Sequence, residues 1–134
     1  MVRCPRARLP ASAALVRALA VINLPRAFLD ERIERQLLTT GIWAPPVNGV
    51  LDAYLAPGGT FVDVGANIGY FTLVGSLLVG DRGTVIAVEP STRDLRKLTH
   101  HLTLNPCANV TVLSVGAGEA DGLQELSWAT ETNI

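Results

Sequence analysis

The apolar positions of the chain change period several times, and each change marks an element. Phe61, Val62 and Val64 form a short run after the breaker Pro57-Gly58-Gly59, the pattern of a strand covered on both faces. Thr84 to Glu89, TVIAVE, is a second β-branched run, and Val110, Val112, Leu113 and Val115 make a third. Between the runs the period lengthens. Tyr70 to Leu78 offers Phe71, Val74, Leu77 and Leu78 to a sheet and stops at Gly80-Asp81-Arg82-Gly83. Ser91 to Leu104 opens on Ser-Thr-Arg-Asp, close to a capping box, repeats Leu95, Leu98 and Leu102, and ends at Asn105-Pro106. Strands alternating with helices predict an α/β unit with parallel strands. Leu123 to Ala129 adds a fourth, antiparallel strand in which Leu126 and Trp128 share a face.

Upstream the pattern is helical throughout. Ala11 to Ile22 reads as an amphipathic helix lying on the domain or on a membrane surface. A helix begins near Pro25, with Leu29, Ile33 and Leu37 on one side and Asp30, Glu31, Arg32, Glu34 and Arg35 on the other, and Gly41 ends it. Pro46 to Leu55 repeats Val47, Val50, Leu51, Tyr54 and Leu55 at helical spacing and is expected to pack on the sheet. Trp43, in the intervening loop, reads as a packing anchor. The chain thus divides into a helical lead-in, residues 1–58, and a strand-and-helix unit, residues 59–134.

Composition narrows the classes. The 134 residues are 49% hydrophobic, enough to exclude general disorder, and a net charge of −1 gives no reason to expect nucleic acid as a partner. The charge is uneven, since Arg3, Arg6, Arg8, Arg17 and Arg26 all precede the first acid, Asp30. These arginines and ASAALVRALAVI loosely resemble a signal peptide, but Arg17 interrupts the apolar run, no Ala-x-Ala cleavage site follows, and the run is too short to span a bilayer. Cys4 and Cys107 are too few and too far apart for a metal site or a disulfide framework. A cytoplasmic location is expected, without a transmembrane span and without a metal.

The chemistry gathers in FVDVGANIGYFT, residues 61–72. Asp63 interrupts the buried run, and a buried carboxylate must meet donors, either backbone N–H groups or a ligand's ammonium or hydroxyl groups. Gly65 and Gly69 flank Ala66, Asn67 and Ile68, and the missing side chains allow close approach of a ligand before a helix starts. The pattern D-x-G-x-x-x-G is neither G-x-G-x-x-G nor a P-loop, which disfavours a pyrophosphate and therefore a nicotinamide dehydrogenase. A second acid, Glu89, closes its strand 20 residues after Gly69 (89 − 69), where it can accept both hydroxyls of a ribose. His100 and His101 are about 100° apart on a helix, cannot share one ligand, and read as surface or rim residues.

VDVGANIGYFT followed by GTVIAVEP resembles the S-adenosylmethionine site of the FkbM-type methyltransferases, a branch of the class I, Rossmann-like methyltransferases, and the similarity runs from about Gly59 to Trp128. The resemblance implies S-adenosyl-L-methionine as cofactor. It places Asp63, Gly65, Ala66, Asn67 and Gly69 at the methionine part and Glu89 at the ribose, with Ser114 to Gly118 passing the adenine. It further implies methyl transfer to a hydroxyl of a small molecule or glycan. A full class I sheet has seven strands with the glycine-turn strand at its centre, so the expected fold is an incomplete one. It has about three parallel strands, the extra antiparallel strand, helices on both faces and the N-terminal helices. No residue matches an acceptor-side segment or a catalytic base, and a non-catalytic cofactor-binding remnant is the alternative. The unpaired edge of the Phe61–Val64 strand is then expected to recruit another copy or a partner chain.

Overall fold

The computed structural model describes residues 23–24, 31–105 and 107–127. The expected helix over Ala11 to Ile22, the start of the next helix at Pro25, Cys4, Pro106 and the Trp128-Ala129 end of the expected fourth strand lie outside these residues. The described elements are α1 (Glu31–Thr40), α2 (Pro45–Tyr54), β1 (Thr60–Val64), α3 (Tyr70–Val79), β2 (Thr84–Val88), α4 (Thr92–Leu104) and β3 (Val110–Leu113). The three strands are parallel in the order β1-β2-β3. β1 therefore lies at one edge, and no other strand pairs with it among the described residues.

Register decides which side chains share a face. Phe61, Val85 and Val110 align, as do Asp63, Ala87 and Val112. This face carries both crossover helices. α3 rests on it through Gly75, where a Cβ would stand only 2.3 Å from the Phe61 ring. α4 rests on it through Leu98, buried with Ala66 and Ala87 and bordered by Leu102, Val110 and Val112. Two successive crossovers in one direction put their helices on the same side, because each is right-handed. The opposite face presents Val62, Val64 and Leu113, all exposed, beside Ile86 and the buried Val88. Helices on both faces were expected, and among the described residues α3 and α4 cover one.

The helical lead-in joins the same core. Leu51 of α2 is buried with Tyr70, Val74 and Leu78 of α3, with Leu24, Leu37, Trp43, Leu55 and Phe61 packed around them. α2 thus packs chiefly on α3, with Phe61 of the sheet bordering the same cluster, whereas its apolar stripe had been expected against the sheet itself. Val47, Val50 and Tyr54 are exposed for that reason. The helix has no side-chain N-cap, since Ala44 occupies that position at φ 43°. Asn48, fully buried, reaches back instead and donates from Nδ2 to the carbonyls of Trp43 and Ala44. Trp43 is the packing anchor its sequence setting suggests.

Residues 123–127 form no strand and are exposed, which corrects the expected fourth strand over its described part. Alternation of Leu126 with polar neighbours fits a strand locally, but no described strand lies alongside to complete its backbone bonds. No helix among the described residues is long and apolar enough to cross a membrane.

Candidate functional site

The glycine turn leaves the carboxyl end of β1 and enters α3 at Gly69, and its backbone is bound to its own chain at every N–H group. Gly65 and Ala66 both donate to the Val88 carbonyl, at 2.9 and 3.1 Å. Asn67 donates to Glu89 Oε2 at 2.8 Å, Ile68 to the Asn67 side-chain oxygen at 2.6 Å, and Gly69 to the Ala66 carbonyl at 2.8 Å. Three of the five residues, Gly65, Asn67 and Gly69, have φ of 77°, 51° and 86°. Left-handed backbone favours glycine, and Asn is the side-chain-bearing residue that tolerates it best. At Gly69 a Cβ would also press on Leu98 Cγ at 3.1 Å, whereas at Gly65 it would meet nothing within 4 Å. The space beside Gly65 is therefore open, and the turn offers a ligand bare backbone there rather than a ring of free N–H groups.

The two predicted acids come together at this turn. Asp63 lies within β1, buried on the α3 side, where its Oδ2 accepts the Thr72 hydroxyl at 2.6 Å. Burial lifts the Asp63 carboxyl above its ordinary value of 3.8, bonds from the Thr72 hydroxyl and N–H hold it back, and the charge of Glu89 adds to the rise. Glu89 follows β2 directly and is also buried. Its Oε2 accepts the Asn67 N–H and its Oε1 the Ser91 N–H, both at 2.8 Å. One carboxylate thus ties the glycine turn to the start of α4. Each of its oxygens retains a second lone-pair direction with which a hydroxyl can bond.

The expected capping box at Ser91 is half formed. Ser91 Oγ accepts the Asp94 N–H at 3.1 Å, but the reciprocal partner of the Ser91 N–H is Glu89, while Asp94 meets Arg93 Nε at 3.2 Å. Sequence reasoning also misplaced one histidine. His101 is a fully buried residue, contrary to the surface or rim position expected for it, and its Nδ1 lies 2.7 Å from the Ile68 carbonyl inside the turn. His100 is partly exposed beside it. The available signal was spacing, because His101 stands at i+3 from Leu98 and so belongs to the buried stripe. Thr72 was missed as the partner of Asp63; three residues into α3, it lies directly over the strand.

Asp63, Gly65, Ala66, Asn67, Gly69 and Glu89 therefore converge on one turn. Ser114 to Gly118 continue from β3 as exposed chain. Among the described residues no cluster of three His, Cys, Asp or Glu side chains is placed to hold a metal. The donor set suits a ligand that brings hydroxyl or ammonium hydrogens and that needs close backbone contact at Gly65.

No family model matches the sequence, and no curated protein matches it. Among solved structures, a protein-L-isoaspartate O-methyltransferase superposes over 79% of this chain and 38% of its own with a TM-score of 0.65 at 19% identity. A SAM dependent methyltransferase from Aquifex aeolicus covers 75% of this chain and 46% of its own, with a TM-score of 0.44 at 22% identity. The chain spans 35% to 46% of the lengths of four solved structures that it matches. Three parallel strands joined by helical crossovers, and the superposition on the first of these, establish that the chain has a Rossmann-like α/β fold like that of this methyltransferase.

Proposed function

We propose that residues 59–134 form the S-adenosylmethionine-binding part of a methyltransferase of FkbM type that acts on a hydroxyl of a small molecule or glycan. The observation that carries the reading is the pairing of a glycine turn whose own N–H groups are already bonded with two buried carboxylates at its sides. A pyrophosphate needs free N–H donors at a helix N-terminus, so this turn suits it poorly. An amino-acid ammonium and a pair of ribose hydroxyls need acceptors, and Asp63 and Glu89 are acceptors. In this reading Asp63, Gly65, Ala66, Asn67 and Gly69 hold the methionine part, and Glu89 accepts the ribose. Bound there, the cofactor would supply an electrophilic methyl group. The residues of this chain would bind and orient it, and the acceptor's alignment and deprotonation would need groups that are not among those assigned here. The FkbM attribution and the hydroxyl acceptor rest on the VDVGANIGYFT and GTVIAVEP motifs.

Titration calorimetry with S-adenosylhomocysteine and with NAD tests the site. S-adenosylhomocysteine is expected to bind and NAD to leave the heat flat; NAD binding more tightly would overturn the assignment. A methyl-transfer assay on hydroxylated acceptors tests the chemistry separately.

A further inference from the structure

We infer that His101 is a positioning residue for the glycine turn, holding the Ile68 carbonyl with an Nδ1–H bond. The inference rests on the cofactor reading only for its effect on binding; the bond itself stands on geometry.

The N–H groups of the turn are all bonded within the chain, and the Ile68 carbonyl adds a further tie. Ile68 sits between two left-handed residues, Asn67 and Gly69, and is almost entirely buried. Its N–H is taken by the Asn67 side chain, and its carbonyl is taken by His101 Nδ1 at 2.7 Å. A carbonyl oxygen only accepts, so Nδ1 must carry the proton. Burial lowers the proton affinity of the ring, the bond to the Ile68 carbonyl opposes it, and the charges of His100 and Lys97 add to the fall, so the net shift is downward and favours the neutral ring. His101 is then the Nδ1–H tautomer.

The contact spans the turn and the far end of α4. Leu98 and His101, three residues apart on one helical face, meet Gly69 and Ile68 respectively. Glu89 holds the neighbouring Asn67 N–H from the other end of α4. The peptide between Ile68 and Gly69 is thereby fixed from its carbonyl side, and that peptide sets the direction in which the left-handed Gly69 enters α3. Non-glycine residues in left-handed conformation persist where their surroundings over-determine them, and His101 supplies one of those determinants for the segment around Asn67. A looser turn would present its backbone to a ligand in several arrangements, of which one binds.

Two measurements on the full chain decide the matter. Long-range 1H–15N correlation spectra, with His100→Gln used to tell the two histidines apart, are expected to show His101 protonated at Nδ1 and bare at Nε2. An Nε2–H tautomer would overturn the anchor, whether or not any ligand binds. Calorimetry with S-adenosylhomocysteine then compares wild type, His101→Leu and His101→Asn, since the Asn amide nitrogen can stand where Nδ1 stands. His101→Leu is expected to weaken binding about tenfold and His101→Asn to recover most of the loss, to within about threefold of wild type. Wild-type affinity in His101→Leu with unchanged circular dichroism would overturn positioning, as would equal losses in both variants. Absence of binding in wild type would overturn the cofactor reading, with the tautomer spectrum still deciding the anchor. The spectrum also decides it if His101→Leu fails to fold.

Discussion

Replacing Glu89 by Ala should cost stability before any ligand is added, because the carboxylate bonds two backbone N–H groups of its own chain. The two losses differ in size. Ser91 is 3% exposed, so its N–H would be left in the interior without water, at a cost of about 1 to 3 kcal/mol. Asn67 is exposed, so water can take over its N–H, and only the net worth of one bond is lost, about 0.5 to 1.5 kcal/mol. The sum is about 1.5 to 4.5 kcal/mol, a large part of the roughly 5 to 15 kcal/mol typical of a domain. With a urea dependence of about 2 kcal/mol per molar, the unfolding midpoint should fall by about 1 to 2 M. Glu89→Gln keeps one accepting oxygen but turns an amide NH2 toward the other N–H, so it should recover at most one of the two bonds. Equilibrium urea unfolding followed by circular dichroism checks both variants. A Glu89→Ala midpoint within about 0.3 M of wild type at equal slope would show that the carboxylate is not tying the turn to α4 and would refute the reasoning.

Asp63 gives a pH dependence of defined sign. Its carboxyl is raised in the fold, chiefly by burial, so the fold binds the proton more tightly than the unfolded chain does. Its contribution is therefore most favourable at acid pH and declines as pH climbs from the ordinary value of 3.8 through the folded one. Asp63→Asn keeps an oxygen for the Thr72 hydroxyl and should gain stability relative to wild type as pH rises across that window, while weakening S-adenosylhomocysteine binding. Parallel stability curves for the two proteins would contradict this. Gly75→Ala sets helix propensity against packing: the gain is about 1 kcal/mol, but a Cβ 2.3 Å from the Phe61 ring forces an overpacking cost of about 1 to 3 kcal/mol. A net loss of about 1 kcal/mol is expected in thermal or urea unfolding, and a stabilised variant would show that the ring moves aside freely.

What the sequence determined by itself was local. The breaker Pro57-Gly58-Gly59, the β-branched runs and the punctuation at Gly80 to Gly83 place β1, α3 and β2 to within a residue or two, because each signal acts on the backbone at its own position. The left-handed positions Gly65 and Gly69 and the cap at Ser91 are local for the same reason. Tertiary structure decided where the side chains went. Glu89 meets Asn67 across 22 residues and His101 meets Ile68 across 33, distances over which no periodicity carries information. Two adjacent histidines look alike in sequence, yet their 100° separation turns one inward and leaves the other at the surface once Leu98 docks on the sheet. Likewise the apolar stripe of α2 specifies that the helix must bury a face, but not against which neighbour. That choice fell to α3, since the sheet face above Phe61 was already filled by Val74 and Gly75, and a hydrophobic stripe is satisfied by any apolar partner that reaches it.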